Sequence, residues 1–306
     1  MELLFFLKRI ALFTLFSILL YLAGVILYGE FVPKTFQKNI FYEKFAYGFS
    51  NTRYKEVKRI KNVDILFLGS SRSYRHYDPR IFSRNGFSTF NLGSSAQTFL
   101  QTEILLKRYL DSLNPKYVVL DIYPGMFSSD GVESTFDLIS NDYNNWETFK
   151  LSLKLKNLKV INTWVFAIYK EYFFNSLEDK EEEVKGLNKY ISGGFVEREF
   201  TTGAIMNNIE QEWNFDEKQW KSFVTVIDFI KRSDSKLLIV HSPRQSGFKY
   251  YKINKLKKFL KSEDIQYHNY KELDFINDSL HFYDASHMNQ MGVNLYNEFF
   301  LEKHFK

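Results

Sequence analysis

Cysteine is absent from the 306-residue chain. That excludes disulfides, a thiol nucleophile and thiolate-ligated metals. It leaves the compartment open, since a disulfide-free domain can work on either side of a membrane. Missing too are the glycine-rich phosphate cradles of nucleotide-binding folds, because neither GxGxxG nor GxxxxGK[ST] occurs. No zinc-ligand spacing, RNA-binding signature or internal repeat is present, and the net charge of +5 is modest. What is present suits one large domain with a full core: 45% of residues are hydrophobic and 25% charged. Aromatic residues make up 18%, so abundant that no single one carries functional weight.

Residues Ile10 to Tyr28 form an uncharged, apolar run of nineteen residues. As a helix it would reach about 28 Å, close to the roughly 30 Å hydrocarbon core of a bilayer. The run is longer than the apolar region of a secretory signal, and no clear small-x-small cleavage site follows it. We read residues 1–30 as an uncleaved anchor and 31–62 as a linker with a basic helix. Lys8 and Arg9 precede the span and Lys34, Lys38 and Lys44 follow it, so flanking charge leaves its orientation open. Arg53, Lys55, Lys58, Arg59 and Lys61 read as a solvated helix face near a membrane surface, not as a nucleic-acid site.

From residue 63 to 306 short apolar runs alternate with helical patterns. Strands are expected at Val63–Leu68, Thr89–Leu92, Tyr117–Tyr123, Lys236–His241 and Ile265–His268. Helices are expected at Ala96–Leu113, Asp216–Arg232, Tyr250–Ser262 and Met291–His304. This alternation predicts a three-layer α/β domain on a parallel five-stranded sheet. Residues 128–215 break the rhythm and read as an insertion over the strand ends. It carries helices near Trp146–Lys156 and Asn162–Leu177, a solvated acidic run at Glu178–Glu183, and a loop at Ile191–Phe195.

Ligands of parallel α/β sheets bind beyond the carboxyl ends of the strands. The expected ends place Ser70 and Ser71, Gly93, Asp121 and Tyr123, and His241 on one edge, and the last loop brings Asp284 and His287 to it. A hydroxyl, an imidazole and a carboxylate are the parts of nucleophilic acyl chemistry. The Gly93 amide, beside that of Ser71, is a candidate oxyanion donor. Arg72, Asp121, Tyr123, His241 and Arg244 are candidate pocket residues, with Arg72 and Arg244 suited to an anionic group. His76 reads as a solvated loop histidine, and no cofactor or metal is implied.

The turn Gly69-Ser70-Ser71, the glycine of Asn91-Leu92-Gly93 and the Asp284-Ala285-Ser286-His287 segment resemble, in order, three blocks of the SGNH (GDSL-type) hydrolase superfamily. The resemblance covers about residues 63–304. It implies a flavodoxin-like α/β/α fold, Ser71 as nucleophile, His287 as base, Asp284 as its orienting acid, and an oxyanion hole from Ser71 and Gly93. The family's third block, Gly-x-Asn-Asp, is missing, and Asp121-Ile122-Tyr123-Pro124-Gly125 stands in its place. Behind a membrane anchor, the Gly-Ser-Ser turn is similar to the D-alanyl transfer protein of teichoic acid modification and, more distantly, to anchored alginate O-acetylation proteins. That kinship implies acyl transfer or ester hydrolysis on a cell-envelope glycan outside the cytoplasmic membrane, beside a multispanning O-acyltransferase. The rival reading is a non-catalytic glycan-binding or scaffolding module on the same fold. A nucleotide binder is disfavoured by the missing phosphate fingerprints.

Overall fold

The protein is described from a computed structural model covering residues 2–199 and 201–306. Its central sheet has five parallel strands: β1 (Ile65–Gly69), β2 (Thr89–Asn91), β3 (Tyr117–Asp121), β4 (Lys236–His241) and β5 (Tyr267–Asn269). The order is β5-β4-β3-β1-β2, the flavodoxin-like arrangement, with its switch point between β1 and β3. Ile65 to Gly69 pair in register with Tyr117 to Asp121, so Gly69 and Asp121 end their strands side by side.

Alternation along the strands divides the core. Leu66, Leu68, Val118, Leu120 and Ile239 face α3 (Phe99–Leu113), α5 (Glu217–Arg232) and α6 (Asn254–Ser262). Ile65, Phe67, Val119 and Val240 face the opposite layer, built on α7 (Gln290–Phe305), whose Val293, Tyr296 and Phe300 are buried. Each buried apolar side chain contributes about 1.5–3 kcal/mol. Both faces of the sheet are therefore apolar, and the polar groups are left to its ends.

Local chemistry explains where elements depart from their expected limits. The third strand stops at Asp121 because Pro124 opens a short helix with Tyr123 at its N-cap. Helix α3 starts at Phe99, not Ala96, where Thr98 and Gln101 form a capping box. Tyr250 belongs to a strand, Phe248–Tyr251, paired in parallel with Ile209–Glu212, and α6 begins after it. The 191–195 loop is the turn of a hairpin, Asn188–Ile191 with Phe195–Arg198. Its Gly193 carbonyl accepts from the Asn91 amide at 2.9 Å, which covers the exposed edge of β2.

One residue in each of the two charged runs departs from the expected solvated face. Arg53 is fully buried, donating to the Gly194 carbonyl at 3.1 Å and the Gly48 carbonyl at 2.8 Å, so it clamps the hairpin. Within the acidic run, the Glu181 side chain is buried and accepts from the amide and hydroxyl of Thr52, while Asp179 pairs with Lys44 at 3.1 Å. Glu181 thus anchors the segment to the Ser50–Val57 helix, while the other residues of the acidic run face solvent as expected.

Helix α1 (Glu2–Phe31) is long and apolar enough to cross a membrane, and nearly all of it is uncovered. Its end packs along α4 (Leu158–Phe174), where Val25, Ile40 and Phe166 form a small separate cluster.

The turn after β1 depends on Gly69, which has φ +144° and whose added Cβ would stand 2.6 Å from the Asp121 carbonyl oxygen. Strain and clash coincide there. Gly69→Ala should lower stability by about 2–3 kcal/mol in urea denaturation. A loss within about 0.5 kcal/mol would show that the turn relaxes freely.

Candidate active site

Ser70 occupies the extended N-cap position of α2 (Ser71–His76) and is buried. Ser71 is therefore the first helical residue and turns its side chain out of the strand end. Its amide lies in the helix's first turn, where backbone N–H groups have no intrahelical acceptor. Ser71 Oγ lies 2.8 Å from His287 Nε2, joining residues 216 positions apart in the chain.

The Asp284–His287 loop is built to hold that ring. Asp284 Oδ1 accepts from the amides of Ser286 (2.8 Å) and His287 (2.9 Å), closing a tight turn. Both carboxylate oxygens then meet His287 Nδ1, at 2.9 and 3.0 Å. A carboxylate only accepts, so Nδ1 carries the proton and Nε2 presents its lone pair to Ser71. Tyr283 stacks on the imidazole with an interplanar angle of 12°.

Burial pushes the His287 pKa down, against the upward pull of Asp284, and Arg75 and Arg72 add to the lowering. The ring is neutral at neutral pH. Burial raises the Asp284 carboxyl, but the His287 ring and the two backbone amides outweigh it and hold the group below its ordinary value.

His76, read from sequence as a solvated loop histidine, is fully buried. Its Nε2 accepts the Met288 amide at 3.2 Å, directly after His287, and its Nδ1 lies 3.0 Å from Ser242 Oγ. The His76 carbonyl also accepts from Asn297 Nδ2 of α7 at 2.5 Å. His76 thus ties the His287 loop to the helix that begins with Ser71. Only its position, five residues after Ser71, hinted at this in sequence.

Gly93 lies where expected, but its amide does not face Ser71. It donates to Asn91 Oδ1 at 2.9 Å, while Asn91 Nδ2 donates to the Ser73 carbonyl at 2.8 Å. A Cβ on Gly93 would come within 3.0 Å of the Ser70 carbonyl oxygen, so this glycine serves close packing of the two strand-end turns. Asn91, which sequence reasoning passed over, organises both.

The five candidate pocket residues gather around Arg72, the residue after Ser71. Arg72, Asp121 and His241 are buried, with Arg72 Nη2 3.5 Å from Asp121 Oδ1 and its guanidinium 4.6 Å from the Tyr123 ring. His241 Nδ1 lies 3.1 Å from the Tyr267 hydroxyl. Arg244 donates to Gln211 Oε1 (3.0 Å) and the Tyr250 hydroxyl (2.7 Å). Burial raises the Asp121 pKa despite Arg72. It lowers that of His241, with Arg72 and Arg244 pushing the same way. Arg72 Nε and Nη1, Asp121 Oδ2, His241 Nε2 and Arg244 Nε have no protein partner. Among the described residues no three His, Asp or Glu side chains converge as a metal-ligand set.

The two histidines should separate by titration. In imidazole nitrogen NMR, His76 should stay neutral with its proton on Nδ1 across about pH 5.5–8, because burial holds its pKa well down. His287 should titrate below its ordinary range. A His76 signal that titrates near pH 6.5 would mean the buried network is absent.

No family model matches the sequence, and neither does any curated protein. Among solved structures, a Bacteroides fragilis protein assigned as an acylhydrolase aligns at a TM-score of 0.42 and 13% identity, over 83% of this chain and 96% of that one. So distant a likeness adds no weight to the site, which rests on its own geometry.

Proposed function

We propose that the chain is a membrane-anchored serine esterase or O-acyltransferase of the SGNH type. The observation that supports this best is the unbroken run of hydrogen bonds from Ser71 Oγ through the His287 ring to Asp284. In this reading Ser71 Oγ attacks an acyl carbonyl carbon while His287 Nε2 takes its proton. Asp284 stabilises the imidazolium and the Ser71 amide donates to the oxyanion. The tetrahedral adduct collapses, the ester C–O bond breaks, and His287 returns the proton to the departing alkoxide. A glycan hydroxyl or water then attacks the acyl-serine with His287 again as base, releasing ester or acid and restoring Ser71.

The substrate class we propose is an acyl ester of a cell-envelope polysaccharide, with a multispanning O-acyltransferase as membrane partner. It follows from the resemblance of the Gly-Ser-Ser turn behind an anchor. The rival reading, a non-catalytic glycan-binding module, draws support from the missing third block and from the engagement of the Gly93 amide with Asn91.

A fluorophosphonate probe separates the two. It should label the full-length protein, Ser71→Ala should abolish labelling, and Ser70→Ala should retain most of it. Asp284→Asn, which disturbs the tautomer, should slow labelling on the order of 10²–10⁴-fold. Labelling should rise with pH through the lowered pKa of His287, reaching its plateau below about pH 7. An unreactive wild-type protein would favour the binding module.

We also propose that the domain lies outside the cytoplasm, because a nucleophile for an envelope glycan must stand on the glycan's side of the bilayer. A C-terminal alkaline phosphatase fusion should be active in cells. An inactive one, with a fluorescent cytoplasmic fusion, would overturn the glycan substrate while leaving a small-ester hydrolase possible.

A further inference from the structure

Helix α4 runs alongside the end of α1 in a constant register. The Tyr21 hydroxyl donates to Asn162 Oδ1 at 2.5 Å, across 141 positions, and Lys170 Nζ donates to Glu30 Oε1 at 2.9 Å, across 140. Between them the Phe166 ring closes on Gly29, where a Cβ would stand 2.4 Å away. A constant offset means two parallel helices. Subtracting 140 sets Leu158 beside Ile18 and Ile168 beside Tyr28. Those are the last eleven residues of the uncharged run of α1.

The polar side chains along this stretch are matched within the protein. Lys159 sits over the Phe41 and Phe136 rings at 5.1 and 5.7 Å, Lys170 is paired with Glu30, and Glu171 accepts from the Asn144 amide at 3.1 Å. Asn162 also donates to the Asn39 carbonyl at 3.2 Å, Thr163 bonds the Phe41 amide, and Trp164 Nε1 donates to Thr148 at 3.0 Å. Outside both the cluster shared with α1 and the main core are Leu158, Ile161, Ile168 and Tyr172, a helical stripe without a charge and partly or fully exposed. At the far end of the pair Phe31, Phe36, Tyr172 and Phe173 are all exposed, a cluster of rings suited to a headgroup boundary.

We propose that α4 is a second membrane-embedded element: its apolar stripe lies in the leaflet next to the domain, continuous with the lipid-facing surface of α1. Aqueous solvent would leave the stripe an uncompensated apolar surface, whereas hydrocarbon requires what this helix has, internal partners for its charges. The inference rests on α1 spanning the bilayer. It adds that the domain is seated in the membrane, not tethered above it.

The cysteine-free chain allows a direct test. Single Ile161→Cys, Ile168→Cys and Tyr172→Cys variants, with Leu15→Cys on α1 as reference, are spin-labelled in the full-length protein. They are then reconstituted alone into phosphatidylethanolamine/phosphatidylglycerol vesicles. At 161 and 168 collisions with oxygen should exceed those with a water-soluble nickel chelate several-fold, as at Leu15, with depth decreasing toward 172. Nickel-dominated collisions on α4 with Leu15 still in lipid would overturn the inference and leave the anchor standing. Nickel dominance at every site would overturn both. Exclusion of both reagents from α4 would mean that a second copy covers the stripe, which also overturns it.

Discussion

Asp284 accepts from two backbone amides of its own loop and from the ring nitrogen of His287, and the arrangement at the sheet edge depends on that convergence. The amides fix the carboxylate, the carboxylate fixes the proton on Nδ1, and the proton on Nδ1 leaves Nε2 as an acceptor for Ser71. A free loop would have to lose rotational entropy to bring a histidine to a serine. Here the turn is closed by hydrogen bonds within four residues, and the Met288 amide is held from behind by His76. The imidazole is thus placed before any ligand arrives, which is how a protein reduces reorganisation at the moment of reaction.

Beneath this edge lies an expensive layer. Asp121 and Arg72 are buried together at 3.5 Å, a separation at which attraction only partly offsets the cost of removing both charges from water. The raised pKa of Asp121 points the same way, because burial outweighs the guanidinium. Buried Arg72 and half-buried Arg244, with one carboxylate and a neutral His241, leave this layer electropositive. The fold carries that cost at the carboxyl ends of the strands and nowhere along the sheet faces, where alternation keeps both sides apolar.

The same division between matched polar groups and free apolar surface organises the packing of α1 on α4. Where α1 meets α4, Tyr21, Asn162, Lys170 and Glu30 satisfy one another, and what remains outward is aliphatic or aromatic. The sheet edge and α1 are joined through the residue 128–215 segment, whose hairpin covers β2 and whose helix α4 packs on α1.

Much of this was readable in the chain. Five short apolar runs bounded by turn residues could be buried on both faces only in a parallel sheet, so the α/β architecture followed from periodicity. Ser71 and Gly93 could be placed from the strands they follow, since strand ends gather at one edge, and Asp284 and His287 from the last loop that reaches it. Other features were illegible because their partners lie far away in sequence. Nothing local distinguishes a solvated His76 from one buried against Met288, or an Arg53 on a basic helix from one clamping Gly194, more than a hundred residues on. Nor could a glycine after a strand reveal that its amide would go to Asn91. Sequence by itself determined the kinds of element and the inventory of reactive groups, because periodicity and composition are local properties. Tertiary structure alone decided which donors stay free, which charges are buried and which helix face remains uncovered, because each depends on a partner that only the folded chain brings within reach.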